Sequence, residues 1–145
     1  MNIDKKTTSN PYLIFYGNCE EAMTFYKDAL QGELELIAYK NSPIEIPQEF
    51  KDKILHSALK FGDTVIMATD SMMGPKIFNY NNVHIYISSK NPEEAERFFN
   101  NLAVDGKITM PFKDTFWNAK FGALADKFGV NWMIQCEQEY NHENQ

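Results

Sequence analysis

Two stretches of the sequence share five of their nine residues: NCEEAMTFY at residues 18–26 and NPEEAERFF at residues 91–99. An asparagine, two glutamates, an alanine and a phenylalanine recur at matching places, and the copies lie 73 positions apart (91 − 18). Asparagine is a favoured N-terminal cap of α-helices, and a glutamate three residues later completes a capping box. The repeated stretch therefore predicts two helices that begin alike, and with them a chain of two related modules.

Both stretches carry the other marks of an amphipathic helix. The first has Asn18 as its cap with Glu21 as capping-box partner, and the second has Asn91, Pro92 at the first helical position, and Glu94. Each helix is expected to end near a glycine, at residues 32 and 106. An apolar stripe at helical spacing follows each cap: Cys19, Ala22, Met23, Tyr26, Ala29 and Leu30 in the first helix, and Ala95, Phe98, Phe99 and Leu102 in the second.

Runs typical of β-strands surround both helices in the same order, one before and three after. They are PYLIFY (11–16), ELELIAY (33–39), ILHSALKF (54–61) and TVIMATD (64–70), then VHIYIS (83–88), KITMPF (107–112), WNAKFGALA (117–125) and NWMIQCE (131–137). The order predicts an α+β fold of two tandem βαβββ modules with mostly antiparallel sheets, forming an open barrel or cleft. We expect one domain over residues 1–145, with module one at about 11–70, a linker at 71–81 and module two at about 82–138. The modules could pair within one chain or by exchange across a homodimer.

A second repeated segment fixes the predicted register between the modules. KFGDTVIM begins at Lys60 and KFGVNWMI at Lys127, a spacing of 67 (127 − 60). Each Phe-Gly is expected at a tight hairpin connection, where glycine adopts positive φ. The fall in spacing from 73 to 67 predicts about six extra residues in module one, within the loop KNSPIEIPQEF (40–50).

Composition excludes several classes of function. A formal net charge of −6 and the absence of a basic patch argue against a nucleic-acid partner. The sequence has no apolar run long enough to cross a membrane and no apolar signal segment, so we expect no membrane partner and a cytoplasmic location. Cys19 and Cys136 form no CxxC pair, and reduced buried thiols are favoured over a disulfide.

Longer stretches resemble the PhnB-like proteins of the vicinal-oxygen-chelate superfamily, which includes glyoxalase I, bleomycin-resistance proteins and dioxygenases. The resemblance covers residues 11–138 and is carried by PYLIFYGNCEEAMTFYKDALQGE, HSALKFGDTVIMATD and DTFWNAKFGALADKFGVNWMI. It implies the glyoxalase-like fold. Members often carry the label 3-demethylubiquinone methyltransferase. The seven glycines form no G-x-G loop, and we expect no βαβ crossover, so we predict that this chain is not a genuine methyltransferase.

The resemblance also implies where a metal would be held. In the metal-dependent relatives, four positions on the first and last strands of the modules chelate one divalent cation, usually through His, Glu or Gln. The corresponding positions here fall near Pro11, at His84, at Ile66 or Met67, and at Met133. Only His84 has a side chain suited to a borderline or hard cation. We therefore expect no metal cofactor.

Two histidines are candidates for chemistry of another kind. Because side chains alternate along a strand, His56 in ILHSALKF and His84 in VHIYIS are expected on the faces opposite their aliphatic neighbours. A neutral imidazole near pH 7 serves as a general base or a hydrogen-bond donor, and His56 is the candidate catalytic residue. For either histidine taken alone, the simpler interpretation is a partly solvated or hydrogen-bonded side chain without a role in chemistry.

Aromatic side chains complete the candidate ligand pocket. Trp117 and Phe121 could stack on a planar or apolar ligand, or could plug one end of a sheet. Trp132 is expected in the core. The predicted pocket consists of His56, His84, Tyr86, Trp117, Phe121 and Met133.

Three functions fit these features. The first is binding of a small molecule in an aromatic-lined cleft of a homodimer, without metal. The second is a metal-dependent lyase, isomerase or dioxygenase that uses His56 and His84 as weak ligand candidates. The third is a structural or regulatory dimer without a ligand.

Overall fold

The chain divides into two compact units, Met1–Ile77 and Phe78–Gln145, and the computed structural model describes residues 8–72 and 83–137. Unit one contains β1 (Tyr12–Phe15), α1 (Cys19–Leu30), β2 (Glu33–Ala38), β3 (Ile54–Phe61) and β4 (Thr64–Asp70). Unit two contains β5 (Ile85–Ser89), α2 (Pro92–Leu102), β6 (Lys107–Asp114), β7 (Ala119–Ala125) and β8 (Asn131–Glu137). The predicted α+β fold of two βαβββ modules is confirmed. Most of the predicted linker lies outside the described residues.

Each unit has one open four-stranded sheet, in the order β1-β4-β3-β2 and β5-β8-β7-β6. The first and last strands of each unit pair in parallel, and the other neighbours are antiparallel. These directions make β1 and β2 run the same way at opposite edges of the sheet, joined through α1. The expectation that the modules lack a βαβ crossover is therefore wrong, because each module contains one that is split by two intervening strands.

The helices cover one face of each sheet with the predicted stripes. Every stripe residue of α1 and of α2 is buried. In unit one the thiol of Cys19 lies 3.6 Å from the hydroxyl of Ser57, which identifies the face of β3 that meets α1. Because side chains alternate along β3, the neighbouring His56 belongs to the opposite face.

The predicted Asn91 cap of α2 is confirmed, but the predicted capping-box partner Glu94 does not bind the N–H of Asn91, which donates to the Ser89 hydroxyl at 3.2 Å instead. The Asn91 side chain accepts hydrogen bonds from the backbone N–H groups of Glu93 and Glu94 at 3.0 and 3.1 Å. The Glu94 carboxylate is itself bound by the hydroxyl of Ser89 at 2.7 Å. The start of α2 is thus tied to the end of β5.

The N-terminus of α1 is capped differently. Asn18 makes no side-chain cap bond, so the predicted capping box of module one is wrong. The buried carboxylate of Asp70 accepts from the N–H groups of Gly17 and Cys19 at 2.8 and 3.0 Å, and from that of Ile54 at 2.9 Å. A carboxylate at the end of β4 therefore satisfies the first N–H of the helix, that of Cys19, where the helix dipole favours negative charge.

Two glycines are required by close approach of the backbone. A Cβ atom on Gly32 would lie 2.6 Å from the carbonyl oxygen of Lys60, and one on Gly106 would lie 2.5 Å from that of Ala125. Both glycines stand directly before the second strand of their module, against its third strand. The two glycines therefore occupy corresponding positions of the two modules, 74 residues apart (106 − 32).

Strand pairing fixes the register between modules, and it differs from the predicted one. Tyr12 pairs with Met67 and Tyr86 pairs with Met133, which gives spacings of 74 (86 − 12) and 66 (133 − 67). The helices keep the spacing of 73, because the β1–α1 connection has one residue more than the β5–α2 connection. His84 is therefore not the counterpart of Pro11. A one-residue slip moves a strand position to the opposite face of the sheet.

The strand register also shows that the insertion in module one is longer than predicted. From Glu33 to its partner Lys60 the chain advances 27 positions, and from Lys107 to its partner Ala125 it advances 18. Module one is therefore nine residues longer between its second and third strands (27 − 18), rather than about six. Two 3₁₀ turns occupy this segment, Tyr39–Asn41 and Gln48–Phe50. The expected hairpin glycines are confirmed, with φ of 54° at Gly62 and 85° at Gly129.

Both cysteines are free and buried. Burial raises the pKa of the Cys19 thiol from an ordinary 9.0 to about 12, a rise that the nearby Asp70 carboxylate supports and the hydrogen bond with Ser57 opposes. The protonated thiol is the form that fits this core, and Cys19 is therefore no nucleophile at neutral pH.

The Asp70 carboxylate provides the first test. Replacement by asparagine turns one acceptor atom into a donor that faces backbone N–H groups, so Asp70→Asn should lower the free energy of unfolding by about 2 kcal/mol or more. Urea unfolding followed by circular dichroism measures the change. The control is Asp63→Asn, in the exposed β3–β4 hairpin, which should change the free energy by less than about 0.5 kcal/mol. Equal effects of the two substitutions would contradict the capping role.

The thiol of Cys19 predicts a pH dependence. Its pKa is raised on folding, so the native state binds the proton more tightly and stability falls as pH rises from about 9 towards 12. Cys19→Ala lacks this group and should lose less stability than the wild type between about pH 8 and about pH 10. Urea midpoints at the two pH values provide the comparison. Parallel decreases in both proteins would be inconsistent with a raised pKa at Cys19.

Candidate functional site

Each unit leaves one sheet face uncovered by its own helix. The open face of unit one is the face of the sheet opposite α1, and it carries Tyr12, Ile14, Ile37, His56 and Met67. Tyr12, Ile14 and Ile37 are exposed, while His56 and Met67 are half-buried. The alternation of the strands places these side chains together, away from the stripe of α1.

Tyr12 and His56 form the polar contact of this face. The phenol oxygen of Tyr12 lies 3.1 Å from Nδ1 of His56. The ring centroids are 5.8 Å apart, with the planes inclined by 33°. Partial burial raises the pKa of Tyr12, supported by the nearby Cys19 and Tyr39 and opposed by a hydrogen bond with Thr69. The Tyr12 phenol therefore remains protonated at neutral pH.

The open face of unit two is the face of the sheet opposite α2, and it carries Tyr86, Phe121, Met133 and Gln135. Phe121 and Gln135 are register partners on adjacent strands, as are Tyr86 and Met133. Tyr86 is half exposed, and the other three side chains are half-buried. This face is more aromatic than its counterpart in unit one.

Trp117 joins this face from the β6–β7 connection. Its indole N–H donates to the side-chain oxygen of Gln135 at 3.1 Å, and its ring lies 6.0 Å from that of Phe121 at 64°. Phe116 packs edge-on against Trp117 at 4.9 Å and is itself 96% exposed. The hydrogen bond orients the Trp117 indole while about half of its surface remains exposed.

The predicted pocket residues thus divide between the units. His56 belongs to unit one, while Tyr86, Trp117, Phe121 and Met133 belong to the open face of unit two. His84 lies one residue before β5 and is half-buried. Trp132 is fully buried, and its indole N–H donates to the Asp126 carboxylate at 2.8 Å, in agreement with the prediction of a core residue.

Two residues of these faces were not among the predicted pocket residues, Tyr12 and Gln135. Tyr12 stands in an apolar run, and only its pairing with β4 brings its phenol to His56. Gln135 alternates with the buried Ile134 and Cys136, a pattern that places it on the open face but does not single it out. Neither residue carries a sequence signal beyond alternation.

A separate cavity of about 410 Å³ lies in the longer β2–β3 connection of unit one. Its lining is formed by Tyr39, Lys40, Ser42, Ile44, Glu45, Ile46 and Lys51. None of the predicted pocket residues lines it. Lys40 is paired there with Asp52 at 3.2 Å.

Within residues 8–72 and 83–137, no group of three or more His, Cys, Asp or Glu side chains lies together in a way that could hold a metal ion. Over the same residues, no helix is long and apolar enough to span a membrane.

The comparisons with known proteins agree on a family. Residues 7–135 match the family described as 3-demethylubiquinone-9 3-methyltransferase. The protein YjdN of Escherichia coli strain K12 is 37% identical over 144 residues, covering 90% of this chain and 95% of that protein.

Two solved structures are similar in both sequence and fold. The protein PA1353 from Pseudomonas aeruginosa is 41% identical, with a TM-score of 0.82, covering 92% of this chain and 100% of that one. A putative 3-demethylubiquinone-9 3-methyltransferase, the PhnB protein from Bacillus cereus, is 29% identical, with a TM-score of 0.72, covering 88% of this chain and 97% of that one. The chain therefore belongs to the PhnB-like family of the vicinal-oxygen-chelate superfamily, whose members are described as 3-demethylubiquinone-9 3-methyltransferases.

Proposed function

We propose that this protein binds a small, largely apolar molecule on the open faces of its sheets, without the chelated metal usual in the superfamily. The supporting observation is the makeup of those faces. In each unit, exposed or half-buried apolar side chains of the open face adjoin an oriented polar contact, Tyr12–His56 in unit one and Trp117–Gln135 in unit two. A charged side chain lies on the edge strand of each open face, Glu35 in unit one and Lys113 in unit two. Sites for small ligands have this composition, with apolar walls and a few placed hydrogen-bonding groups.

The residues at the chelating strands support metal-independent binding. With the register set by strand pairing, the open-face positions of the first and last strands hold Tyr12, Ile14, Met67 and Thr69 in unit one, and Tyr86, Ser88, Met133 and Gln135 in unit two. None of these paired side chains is an imidazole or a carboxylate, and His84, which the resemblance placed at a chelating position, lies one residue before β5. Gln135 alone is of a type found at these positions in the relatives, and it accepts the Trp117 hydrogen bond.

Methyl transfer is not part of the proposed function. No G-x-G sequence is present to hold a nucleotide-like cofactor against a helix N-terminus. The N-terminus of α1 is already occupied by the Asp70 carboxylate. Asp70 thus takes the first N–H of the helix, that of Cys19, and its negative charge would repel an anionic cofactor there.

The protein is proposed to act as a homodimer. Ile108 and Met110 lie on the edge strand β6, and each is about half exposed. Apolar side chains on an uncovered sheet edge favour association between chains.

The first test of this function is the metal content. Protein purified without a nickel column and analysed by inductively coupled plasma mass spectrometry should contain far less than one Zn, Ni, Mn or Fe per chain. Addition of each metal should leave the thermal midpoint unchanged, because a bound metal would raise it. Stoichiometric metal that His56→Ala removes would instead support the alternative, a metal-dependent lyase, isomerase or dioxygenase.

The second test addresses the aromatic surface of unit two. The planar dye 1-anilinonaphthalene-8-sulfonate serves as the probe, and its fluorescence reports binding. Trp117→Ala removes a stacking surface and should weaken binding roughly fivefold, since an aromatic contact is worth about 1 kcal/mol.

The matched control for Trp117→Ala is Tyr16→Ala, which removes an exposed aromatic side chain of the β1–α1 connection. This variant should bind the dye as the wild type does. An equal loss in both variants, or none in Trp117→Ala, would count against a binding role for the open face of unit two.

A further inference from the structure

The Tyr12–His56 contact allows a more specific statement about the ligand, which rests on the proposed function. We propose that Tyr12 holds His56 in the tautomer protonated at Nε2, and that this N–H is a hydrogen-bond donor for the carbonyl oxygen of a neutral ligand on the open face of unit one.

The position of the imidazole is fixed by the sheet. His56 lies on β3, an inner strand of the unit-one sheet that pairs with β2 and with β4. Its partner on β2 is Ile37, and Tyr12 is held on β1 by pairing with Met67. A hydrogen-bonding group on paired strands is positioned more tightly than one on a loop.

The direction of the Tyr12–His56 hydrogen bond follows from the acidity of the two groups. A phenol is a far better proton donor than a neutral imidazole N–H, and the imidazole nitrogen is a far better acceptor than a phenol oxygen. The 3.1 Å contact is therefore a bond from the Tyr12 O–H to Nδ1 of His56. A neutral imidazole that accepts at Nδ1 carries its proton at Nε2.

The surroundings give this N–H its selectivity. Ile14, Ile37 and Met67 share the open face with His56 and carry no strong acceptor, and the Glu35 carboxylate of the same face is paired with Ala58 rather than with His56. A hydrogen-bond donor in apolar surroundings favours a ligand that has an acceptor. An apolar ligand would displace the water bound to this N–H and leave the N–H without a hydrogen-bond partner.

The charge on the same face favours a neutral acceptor over an anion. Glu35 and Ile37 point to the same face of β2, and Glu35 pairs with Ala58, two residues from His56. Lys60 stands opposite Glu33 at the far end of the pair of strands, where their charges offset each other. The Glu35 carboxylate therefore opposes a carboxylate ligand, while a ketone or an amide carbonyl meets no such repulsion.

The first experiment measures the tautomer directly. Long-range ¹H–¹⁵N correlation spectra of uniformly labelled protein, with His56 assigned through His56→Gln, should show the neutral ring of the wild type in its Nε2–H form. Tyr12→Phe should convert His56 to a mixture of tautomers, while backbone spectra report that the fold is retained.

Tyr86→Phe is the matched control, because Tyr86 occupies the position of Tyr12 in unit two. It should leave the His56 signals unchanged. An Nδ1–H tautomer in the wild type, or His56 signals that do not respond to Tyr12→Phe, would overturn the inference.

The second experiment measures binding by chemical-shift titration with three probes of similar size: acetophenone, ethylbenzene and benzoate. Acetophenone should bind on the open face of unit one roughly fivefold more tightly than ethylbenzene. His56→Leu should abolish this preference, and benzoate should bind more weakly than acetophenone.

The outcomes separate the two levels of the proposal. Equal binding of acetophenone and ethylbenzene at this face would overturn the donor role of His56 and leave a metal-free apolar site intact. Tightest binding by benzoate would overturn the choice of a neutral ligand. Binding of none of the three would contradict the proposed function of this face, and the inference would fall with it.

Discussion

The Asp70 carboxylate joins three segments of unit one that are distant in the sequence. It lies at the end of β4, and it binds backbone N–H groups at the start of α1 and at the start of β3. These bonds hold the helix against the sheet at the edge where β1 enters it, and Lys53 adds a bond to the carbonyl of Gly17 at 2.9 Å. Because α1 is fixed over one face, the other face and its residues Tyr12 and His56 are left uncovered by the unit's own helix.

Unit two reaches the same arrangement through different side chains. Cys136 occupies the position of Asp70 in the strand register, and the local residues Asn91, Ser89 and Glu94 cap the helix instead. Asp70 binds the first N–H of α1, that of Cys19, whereas the Asn91 side chain binds the second and third N–H groups of α2, those of Glu93 and Glu94. The constraint common to both units is therefore the satisfied helix start rather than any particular residue.

The sequence was sufficient for the order of elements and the helix stripes, because caps, apolar spacing and strand alternation are local signals. It was insufficient for the cap of α1, because the carboxylate of Asp70 comes from 52 positions beyond Asn18 (70 − 18). It also misplaced the repeat register by one residue, since loop lengths differ on both sides of the helices and only strand pairing shows this. That slip made His84 appear equivalent to Pro11. The Tyr12–His56 contact was likewise not predictable from local signals, because it forms only when β1 pairs with β4.

The corrected register changes what the repeat says about function. Tyr12 and Tyr86 correspond, but His56 corresponds to Phe121, at a spacing of 65 (121 − 56), because Ser57 and Gly122 pair with corresponding residues of β4 and β8. The imidazole of unit one therefore has a phenyl ring as its counterpart, and that ring contacts Trp117. In the proposed function, discrimination by a hydrogen bond therefore belongs to unit one and contact with a planar ligand surface to unit two. A metal site built on the repeat would draw on equivalent positions of the two units, and the paired open-face positions hold Tyr12 and Met67 in unit one and Tyr86 and Met133 in unit two, none of which is a histidine or a carboxylate.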